Sequence, residues 1–372
     1  MRRNTSLYLV PAVIFSLLLL QYCYYSSDFK RMYANNFKCV INDIKRTPDN
    51  VPYKNILYWT GTFGQADFSL GYGSKIFEGC EVSNCFATDN RCYLPVDQFD
   101  ALLFHGWEYI WEIQDKPENR SQAQVYIYVN QEPPPNTPKW IGSDNFFNWT
   151  MTYRLDSDIA YTYGMYKNFT TNYKMPTVEE VQQKSRKIAW MVSNCNPPSN
   201  RKKLYEKLSK YFPIDVYGAC GTMSCPREDS NGCYDLIARN YKFYLAFENS
   251  VCVDYVTEKM FYSLKSDFIP IVYGGANYSK FAPPNSVIDV SKFSSVEELA
   301  KYLKSVDEDP NKYLSYFEWK KHYIVKTDKK NALCDICKKL NEPLVHKSYD
   351  IEKWWNDGIC KAGDDLPKII FT

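Results

Sequence analysis

The sequence predicts an α/β protein built from two domains, each with a parallel β-sheet. The clearest indication is the stretch from Tyr241 to Pro284, where two short apolar runs, Phe243 to Phe247 and Phe268 to Tyr273, flank a segment of different periodicity. Short apolar runs are typical of buried strands, and apolar residues at three- and four-residue steps between them indicate an amphipathic helix. Strand, helix and strand in this order form the crossover unit of a parallel sheet. Residues 53 to 372 number 320, which is too many for one ordinary core and suits two domains.

The N-terminal residues predict a membrane anchor. Leu7 to Tyr25 are nineteen residues without a charge, long enough to cross a bilayer, and Arg2 and Arg3 precede them. A cleaved signal peptide is the alternative, but no small-x-small cleavage pattern follows the apolar run. Because basic residues stay on the cytoplasmic side, we expect residues 1–6 to form a cytoplasmic tail and 7–25 a type II anchor. Residues 26–52 are polar, as expected of a short stem, and the remainder would be lumenal.

The first lumenal domain is predicted over residues 53–177. Its expected strands are the apolar runs Asn55 to Trp59, Ala101 to His105 and Val125 to Val129. Glu132 follows the third run and precedes three prolines, which end the strand and stiffen the loop. Such a residue lies at the carboxyl edge of the sheet, where open α/β sheets bind ligands, although a plain loop glutamate is the alternative. His105 is the other polar residue at a strand end.

The second domain is predicted over residues 178–346, with residues 347–372 as a C-terminal extension. A strand from Ile188 to Ser193 leads to a helix from Asn200, which carries Arg201 and two lysines in its first turn. Cations at a helix N-terminus oppose the helix dipole. A diphosphate site would explain them, and a solvated helix face is the alternative.

The loop and helix that follow Phe247 form the most polar part of the predicted crossover. Asp254 is the expected N-cap of this helix, and Tyr255, Glu258 and Lys259 then share one side of its first turn. Free backbone N–H groups at such a helix start suit an anionic ligand. A solvated Glu258–Lys259 pair on a surface helix is the alternative.

Charge and cysteine content narrow the class of protein. The formal net charge is +2, which does not indicate a nucleic-acid partner. Of 13 cysteines, twelve lie beyond the predicted anchor, an even number that indicates disulfides in an oxidising compartment. Cys334 and Cys337 form a C-x-x-C, for which zinc binding and redox chemistry are the alternatives. Four glycosylation sequons beyond the predicted anchor also suit the secretory route; they begin at Asn119, Asn148, Asn168 and Asn277, the last close to the predicted ligand site.

Several motifs resemble the α1,3/4-fucosyltransferase family, glycosyltransferase family 10. The segment FYLAFENS runs from Phe243 to Ser250, DYVTEK from Asp254 to Lys259, and PIVYG from Pro270 to Gly274. The resemblance covers roughly residues 85 to 340 and continues in five further segments, namely FNWTMTYRLDSDI, MVSNCN, NYSKFAPPNSVIDV, SSVEELAKYLKSVDED and YLSYFEWKK.

This resemblance implies the GT-B arrangement, in which two Rossmann-like domains face a cleft. It implies Glu132 as catalytic base, His105 on the acceptor side, and Arg201 at the donor phosphates. It also implies that the Cys334–Cys337 motif is disulfide-linked back to the N-terminal cysteines Cys80, Cys85 and Cys92. The implied donor-binding residues are Asn194, Arg201, Tyr244, Glu248, Asn249, Tyr255, Glu258 and Lys259.

Two departures from the family pattern are visible. Gly106-Trp107 follows His105 in place of a further basic or histidine residue. Cys195 replaces a tryptophan, which indicates either altered packing or a local disulfide with a nearby cysteine. The Asp156 to Asp158 DSD is expected to serve the fold and not a metal ion. By resemblance no cofactor or metal is required, while stimulation by a divalent cation stays open.

The sequence therefore predicts a Golgi membrane enzyme with a lumenal catalytic region. By the resemblance, it would transfer fucose from GDP-fucose to a GlcNAc residue of an N-glycan or N-acetyllactosamine-type acceptor. No nucleic-acid partner is expected, because the charge is nearly balanced. The expected linkage is α1,3, formed with inversion. The alternative is a catalytically silent, membrane-tethered glycan-binding protein on the same fold.

Overall fold

The computed structural model describes residues 53–108, 116–138, 145–225, 230–345 and 347–370. The predicted tail, anchor and stem lie outside these residues. Among the described helices none is long and apolar enough to cross a bilayer.

The first sheet has six strands in the described chain, and all of its neighbouring strands are parallel. Their order is β2-β1-β3-β4-β5-β6. The three strands predicted from sequence are confirmed as β1, β3 and β4. The strands are β1 Lys54–Tyr58, β2 Cys85–Thr88, β3 Ala101–His105, β4 Val125–Asn130, β5 Trp149–Thr152 and β6 Ile159–Ala160.

The second sheet has five parallel strands in the order β13-β12-β10-β8-β9. The parallel α/β fold predicted from the crossover unit is therefore confirmed, because β10 and β12 pair directly on either side of the intervening helix. Its strands are β8 Arg186–Met191, β9 Ile214–Tyr217, β10 Tyr241–Phe247, β12 Ile269–Tyr273 and β13 Ile288–Asp289. Two small antiparallel pairs join β7 Met165–Asn168 to β14 Tyr323–Lys326, and β11 Val251–Cys252 to β15 Cys360–Lys361.

Helices cover the sheets and close the two cores. The α-helices are α1 Val178–Gln183, α2 Arg201–Leu208, α3 Ser230–Asn240, α4 Glu258–Lys265, α5 Val296–Glu308, α6 Pro310–Ser315, α7 Lys330–Leu340 and α8 Ile351–Asn356. Short 3-10 helices lie at Lys75–Phe77, Val96–Gln98, Pro134–Asn136, Tyr278–Lys280, Val290–Lys292, Glu318–Lys321, Gly363–Asp365 and Lys368–Ile370.

The start of helix α4 differs from the prediction. Helix α4 begins at Glu258, and its N-cap is Thr257, whose hydroxyl accepts from the Lys259 N–H. Asp254 is not the cap, because it has a φ of 59° and its carboxylate accepts from the Leu155 N–H at 3.1 Å.

The C-terminal part of the chain returns to the first sheet. Helix α7, which the sequence analysis assigns to the second domain, packs its apolar face into the core of the first sheet. Trp355 of α8 packs into the other face of that sheet's core, among aromatic residues that include Tyr128 and Tyr153. The position of a helix in the sequence therefore does not determine which of the two sheets it packs against.

The bridges implied for the C-x-x-C motif are present. Cys80 is bonded to Cys334, and Cys85 is bonded to Cys337. Cys92 is also disulfide-bonded, although not to this pair. The local disulfide expected at Cys195 is formed with Cys220, and the remaining described bridges are Cys225–Cys233 and Cys252–Cys360.

We expect the two bridges of α7 to stabilise the fold non-additively. Either bridge alone closes a loop of more than 250 residues, with separations of 254 and 252. Once one is closed, the other adds only a small ring. By the chain-entropy estimate, removing one bridge should cost about 2–3 kcal/mol, and removing both should cost about 5 kcal/mol more. Chemical unfolding of Cys80→Ala/Cys334→Ala and of the four-alanine variant would measure this, and equal additive losses would contradict it.

The remaining polar motifs of the sequence analysis have defined surroundings. Asp158 of the DSD accepts from the Thr150 N–H at 3.0 Å and contacts two lysines, Lys339 and Lys347, which fits a role in the fold. Three of the sequon asparagines are exposed, namely Asn119, Asn168 and Asn277. The Asn148 amide is instead engaged, since it donates to the Lys347 carbonyl and accepts from the Tyr126 N–H.

Candidate active site

A cavity of about 320 Å³ opens at the carboxyl ends of β8, β9 and β10, beside the first turns of α2 and α4. This is the edge at which open parallel sheets bind ligands. Six of the predicted donor-side residues line it: Asn194, Arg201, Tyr244, Asn249, Glu258 and Lys259. Other residues of the lining were not predicted. Tyr217 and Gly218 lie at the end of β9, Tyr234 lies on α3, and Tyr262 lies on α4 three residues after Lys259.

Arg201 is the inward-facing cation of helix α2. It is 2% exposed, whereas Lys202 and Lys203 of the same turn are exposed. Its guanidinium donates to the Phe247 carbonyl at 2.6 Å and to the Asn194 carbonyl at 3.0 Å. The Nε atom is buried without a hydrogen-bond partner among the described residues. A buried cation held by neutral carbonyls retains charge that an anionic ligand in the cavity can neutralise.

A second cation, Lys259, lies in a network at the start of α4. Its ammonium donates to the Thr257 hydroxyl at 2.8 Å and to Glu258 at 3.0 Å, and lies 3.3 Å from Glu248. The Lys259 side chain is only 16% exposed, so this is not a solvated surface pair. Burial by itself lowers the pKa of Lys259, but the two carboxylates outweigh it and raise the pKa above its ordinary value.

Glu248 lies beneath the cavity and does not line it. It is 1% exposed and accepts from the Thr257 N–H at 2.8 Å and from the Thr257 hydroxyl at 2.9 Å. Burial raises the pKa of Glu248, and this effect outweighs the opposing charge of Lys259. In this position Glu248 fixes the first turn of α4 and orients Lys259.

Of the remaining predicted donor-side residues, Asn249 and Tyr244 line the cavity, and Tyr255 packs against residues from the first half of the chain. The Asn249 side-chain oxygen is buried without a partner among the described residues, at the cavity wall. Burial raises the pKa of Tyr244 to about 12, so its hydroxyl is a neutral hydrogen-bonding group at physiological pH. Tyr255 precedes α4 instead of lying on it, and its ring packs against Tyr153 and Tyr163 from the first half of the chain.

Glu132 is held in the turn that follows β4. Its backbone N–H donates to the Asn130 side-chain oxygen at 2.9 Å, and its carboxylate accepts from Asn136 at 3.1 Å. Pro134 starts a 3-10 helix that closes this turn. The side chain is partly exposed, so it can reach a ligand.

Tyr163 and Tyr255 connect the Glu132 turn with the loop that precedes α4. The Tyr163 hydroxyl donates to the carbonyl of Gln131, the residue before Glu132, at 3.0 Å, and the Tyr163 ring packs against Tyr255 with ring centroids 6.3 Å apart. Burial is the main cause that raises the pKa of both hydroxyls, and Glu132 and Glu258 raise it further. The Glu132 turn is therefore in contact, through Tyr163, with the loop that leads into the helix presenting Lys259.

His105 ends β3, as predicted, but its ring is buried. It is 2% exposed, its Nδ1 contacts the Glu108 carboxylate, and Phe63 packs edge-on against it at 5.0 Å. The Glu108 partner was not predicted. Gly106 is required next to it, because a Cβ atom there would lie 2.5 Å from the Tyr128 hydroxyl.

Within the described residues, no cluster of three or more metal-ligating side chains occurs. The candidate site combines a cavity that has two inward cations with a partly exposed carboxylate, Glu132, whose turn contacts the loop before α4 through Tyr163. Such a combination is suited to a phosphate-bearing ligand and to proton transfer beside it.

Comparisons with known proteins identify the family. Residues 181–355 match the family described as "Glycosyltransferase family 10 (fucosyltransferase) C-term", and residues 52–164 match "Fucosyltransferase, N-terminal". The chain is 38% identical over 332 residues to alpha-(1,3)-fucosyltransferase C of Drosophila melanogaster, covering 81% of this chain and 77% of that protein. It is 37% identical over 327 residues to 4-galactosyl-N-acetylglucosaminide 3-alpha-L-fucosyltransferase 9 of Rattus norvegicus, covering 85% and 86% respectively.

A solved structure supports the fold. A crystal structure of an alpha1,3-fucosyltransferase with GDP-fucose aligns over 82% of this chain and 95% of that chain, with a TM-score of 0.50 and 18% identity. The protein belongs to glycosyltransferase family 10, the fucosyltransferases.

Proposed function

We propose that this fucosyltransferase transfers fucose from GDP-fucose to a GlcNAc residue of an N-glycan or N-acetyllactosamine-type acceptor, forming an α1,3 bond with inversion. The observation that carries the proposal is the pair of inward cations, Arg201 and Lys259, at a cavity whose adjoining loop is connected to the Glu132 turn through Tyr163. The names of the related Drosophila and rat proteins agree with fucose transfer to the 3-position, and the rat name also agrees with an N-acetylglucosaminide acceptor.

The diphosphate of the donor would bind between Arg201 and Lys259. The side chains of both cations are already largely buried. They therefore need little reorganisation as the diphosphate gains negative charge during bond cleavage. Asn194, Tyr244, Asn249 and Glu258 would supply hydrogen bonds to the nucleotide and the fucose. Glu248 and Tyr255 would act from behind, by holding the first turn of α4 and the adjoining loop.

Glu132 would act as general base in a single displacement. The acceptor hydroxyl oxygen bonds to fucose C1 while the bond from C1 to the diphosphate oxygen breaks, and the hydroxyl proton passes to the Glu132 carboxylate. GDP leaves as the anion that Arg201 and Lys259 stabilise. No covalent intermediate forms, so the configuration at C1 inverts. The mechanism requires no cofactor because the two side-chain cations supply the charge, while stimulation by a divalent cation stays open.

The arrangement we propose for the whole chain is GT-B-like. Two Rossmann-like domains would face a cleft, with donor on the C-terminal side and acceptor on the N-terminal side. Residues 7–25 would anchor the protein in the Golgi membrane in type II orientation. The two parallel sheets support the GT-B-like arrangement. The described disulfides support an oxidising compartment on the secretory route.

An acceptor panel tests the proposed function. We expect the full chain in detergent to transfer fucose from GDP-fucose to N-acetyllactosamine or to a defined N-glycan, detected by mass spectrometry. Parallel reactions with a chitobiose-core glycan and with an antennary glycan would distinguish the two acceptor classes. Glycan binding without transfer on every acceptor would contradict the proposal and favour the silent glycan-binding alternative.

A further inference from the structure

The segment from Tyr161 to Gly164 connects the two halves of the molecule. It begins directly after β6, the edge strand of the first sheet, and ends at β7, which pairs with β14. Two hydrogen bonds attach it to the turn that carries Glu132. The Gln131 side chain donates to the Tyr161 carbonyl at 3.0 Å, and the Tyr163 hydroxyl donates to the Gln131 carbonyl at 3.0 Å.

The same segment is held on its other side by the donor-side elements. The Tyr163 ring packs edge-on against Tyr255, with ring centroids 6.3 Å apart. Gly164 lies so close to α4 that a Cβ atom there would be 2.6 Å from Cγ of Phe261. Phe261 is fully buried and comes two residues after Lys259 in the same helix. A continuous set of contacts thus connects the Glu132 turn with the helix that presents Lys259.

From these contacts we propose that Tyr163 is a positioning residue for the transfer reaction. Its hydroxyl fixes the peptide that precedes Glu132, while its ring fixes the distance of that peptide from the donor-side loop. The inference rests on the proposed role of Glu132 as base. It assigns Tyr163 no contact with substrate and no part in donor binding.

The expected consequence is a change in turnover and not in donor affinity. A base contributes fully only when it lies within hydrogen-bond reach of the proton, and a misplacement of about 1 Å can cost about a hundredfold in rate. Losing one hydrogen bond to the neighbouring peptide displaces Glu132 only in part, so we expect a loss of roughly fivefold to fiftyfold in kcat.

Tyr163→Phe tests the proposal, because it keeps the ring and removes only the hydroxyl. Tyr313→Phe is the control: the Tyr313 hydroxyl also donates to a main-chain carbonyl, that of Lys242 at 2.9 Å, but it lies in the core of the second sheet. We expect Tyr163→Phe to lower kcat. The KM for GDP-fucose and the affinity for GDP should stay within about twofold of the parental values, because the substitution removes only one hydrogen bond and none to the donor. Tyr313→Phe should keep the parental kcat.

A second variant guards against misfolding of the first. Gln131→Met removes the other bond of the turn, from Gln131 to the Tyr161 carbonyl, and should show the same loss in kcat at unchanged GDP affinity. Parental kcat in both variants, or a loss of GDP affinity that matches the loss of turnover, would overturn the proposal. Failure of the proposed base is separable, because Glu132→Gln would then retain turnover whatever Tyr163→Phe does.

Discussion

Glu132→Gln should reduce transfer by about 10²–10⁴-fold, because the amide cannot accept the proton of the acceptor hydroxyl. Glutamine has nearly the same shape, and its side-chain oxygen can still accept from Asn136, as the carboxylate does at 3.1 Å. We therefore expect the affinity for GDP and the unfolding temperature to equal those of the parent. Steady-state kinetics and GDP calorimetry on the same preparations measure both.

Asn136→Ala is a useful control for Glu132→Gln. It removes the amide that binds the carboxylate but leaves the base, so it should retain far more turnover than the glutamine variant. If Glu132→Gln keeps more than about a tenth of parental turnover, against the hundredfold minimum expected for a lost base, another group takes the proton. His105 would be tested next, although its ring is 2% exposed and already contacts Glu108.

Lys259→Ala should lower GDP affinity and stability together. Loss of a charged donor to an anion costs about 1.5–3 kcal/mol, which is roughly tenfold to a hundredfold in affinity. Stability should fall as well, because removal of Lys259 leaves Glu248 buried without its cation, and breaking such a pair costs about 3–5 kcal/mol.

The double variant Lys259→Met/Glu248→Gln separates the two effects. It removes both charges, so stability should largely recover, while GDP affinity should stay low. The stability of the single variant Lys259→Ala should also depend on pH. Burial raises the folded-state pKa of Glu248, so its unfolding free energy should improve as the pH falls toward the ordinary glutamate value of about 4.3. A double variant that regains GDP affinity, or a single variant with parental stability, would contradict this account of Lys259.

The sequence predicted the secondary structure best where its pattern is local. The short apolar runs of β10 and β12 and the helical spacing between them predicted a parallel crossover, and β12 pairs with β10 throughout its length. The start of α4 was wrong by three residues, because both Asp254 and Thr257 can cap a helix. Thr257 is the cap because the Asp254 carboxylate instead accepts a hydrogen bond from the Leu155 N–H, about a hundred residues away in the sequence.

Features that depend on long-range contacts could not be predicted from residue patterns. The burial of Arg201 depends on carbonyls of Phe247 and Asn194, and nothing in the run of three cations distinguishes it from its neighbours. The rings of Tyr163 and Tyr255 pack against each other although the two residues are 92 positions apart in the sequence. No spacing pattern in the sequence indicates this contact. Helix α7 covers the first sheet because two disulfides attach it there, and their pairing was implied only by family resemblance.

The configuration of the product tests the central claim most directly. Fucosylated N-acetyllactosamine, made with the full chain and GDP-fucose, can be analysed by NMR for linkage and for configuration at fucose C1. A single displacement assisted by Glu132 predicts an α1,3 bond to GlcNAc, with configuration opposite to that in the donor. Retention of the donor configuration would contradict the proposed mechanism.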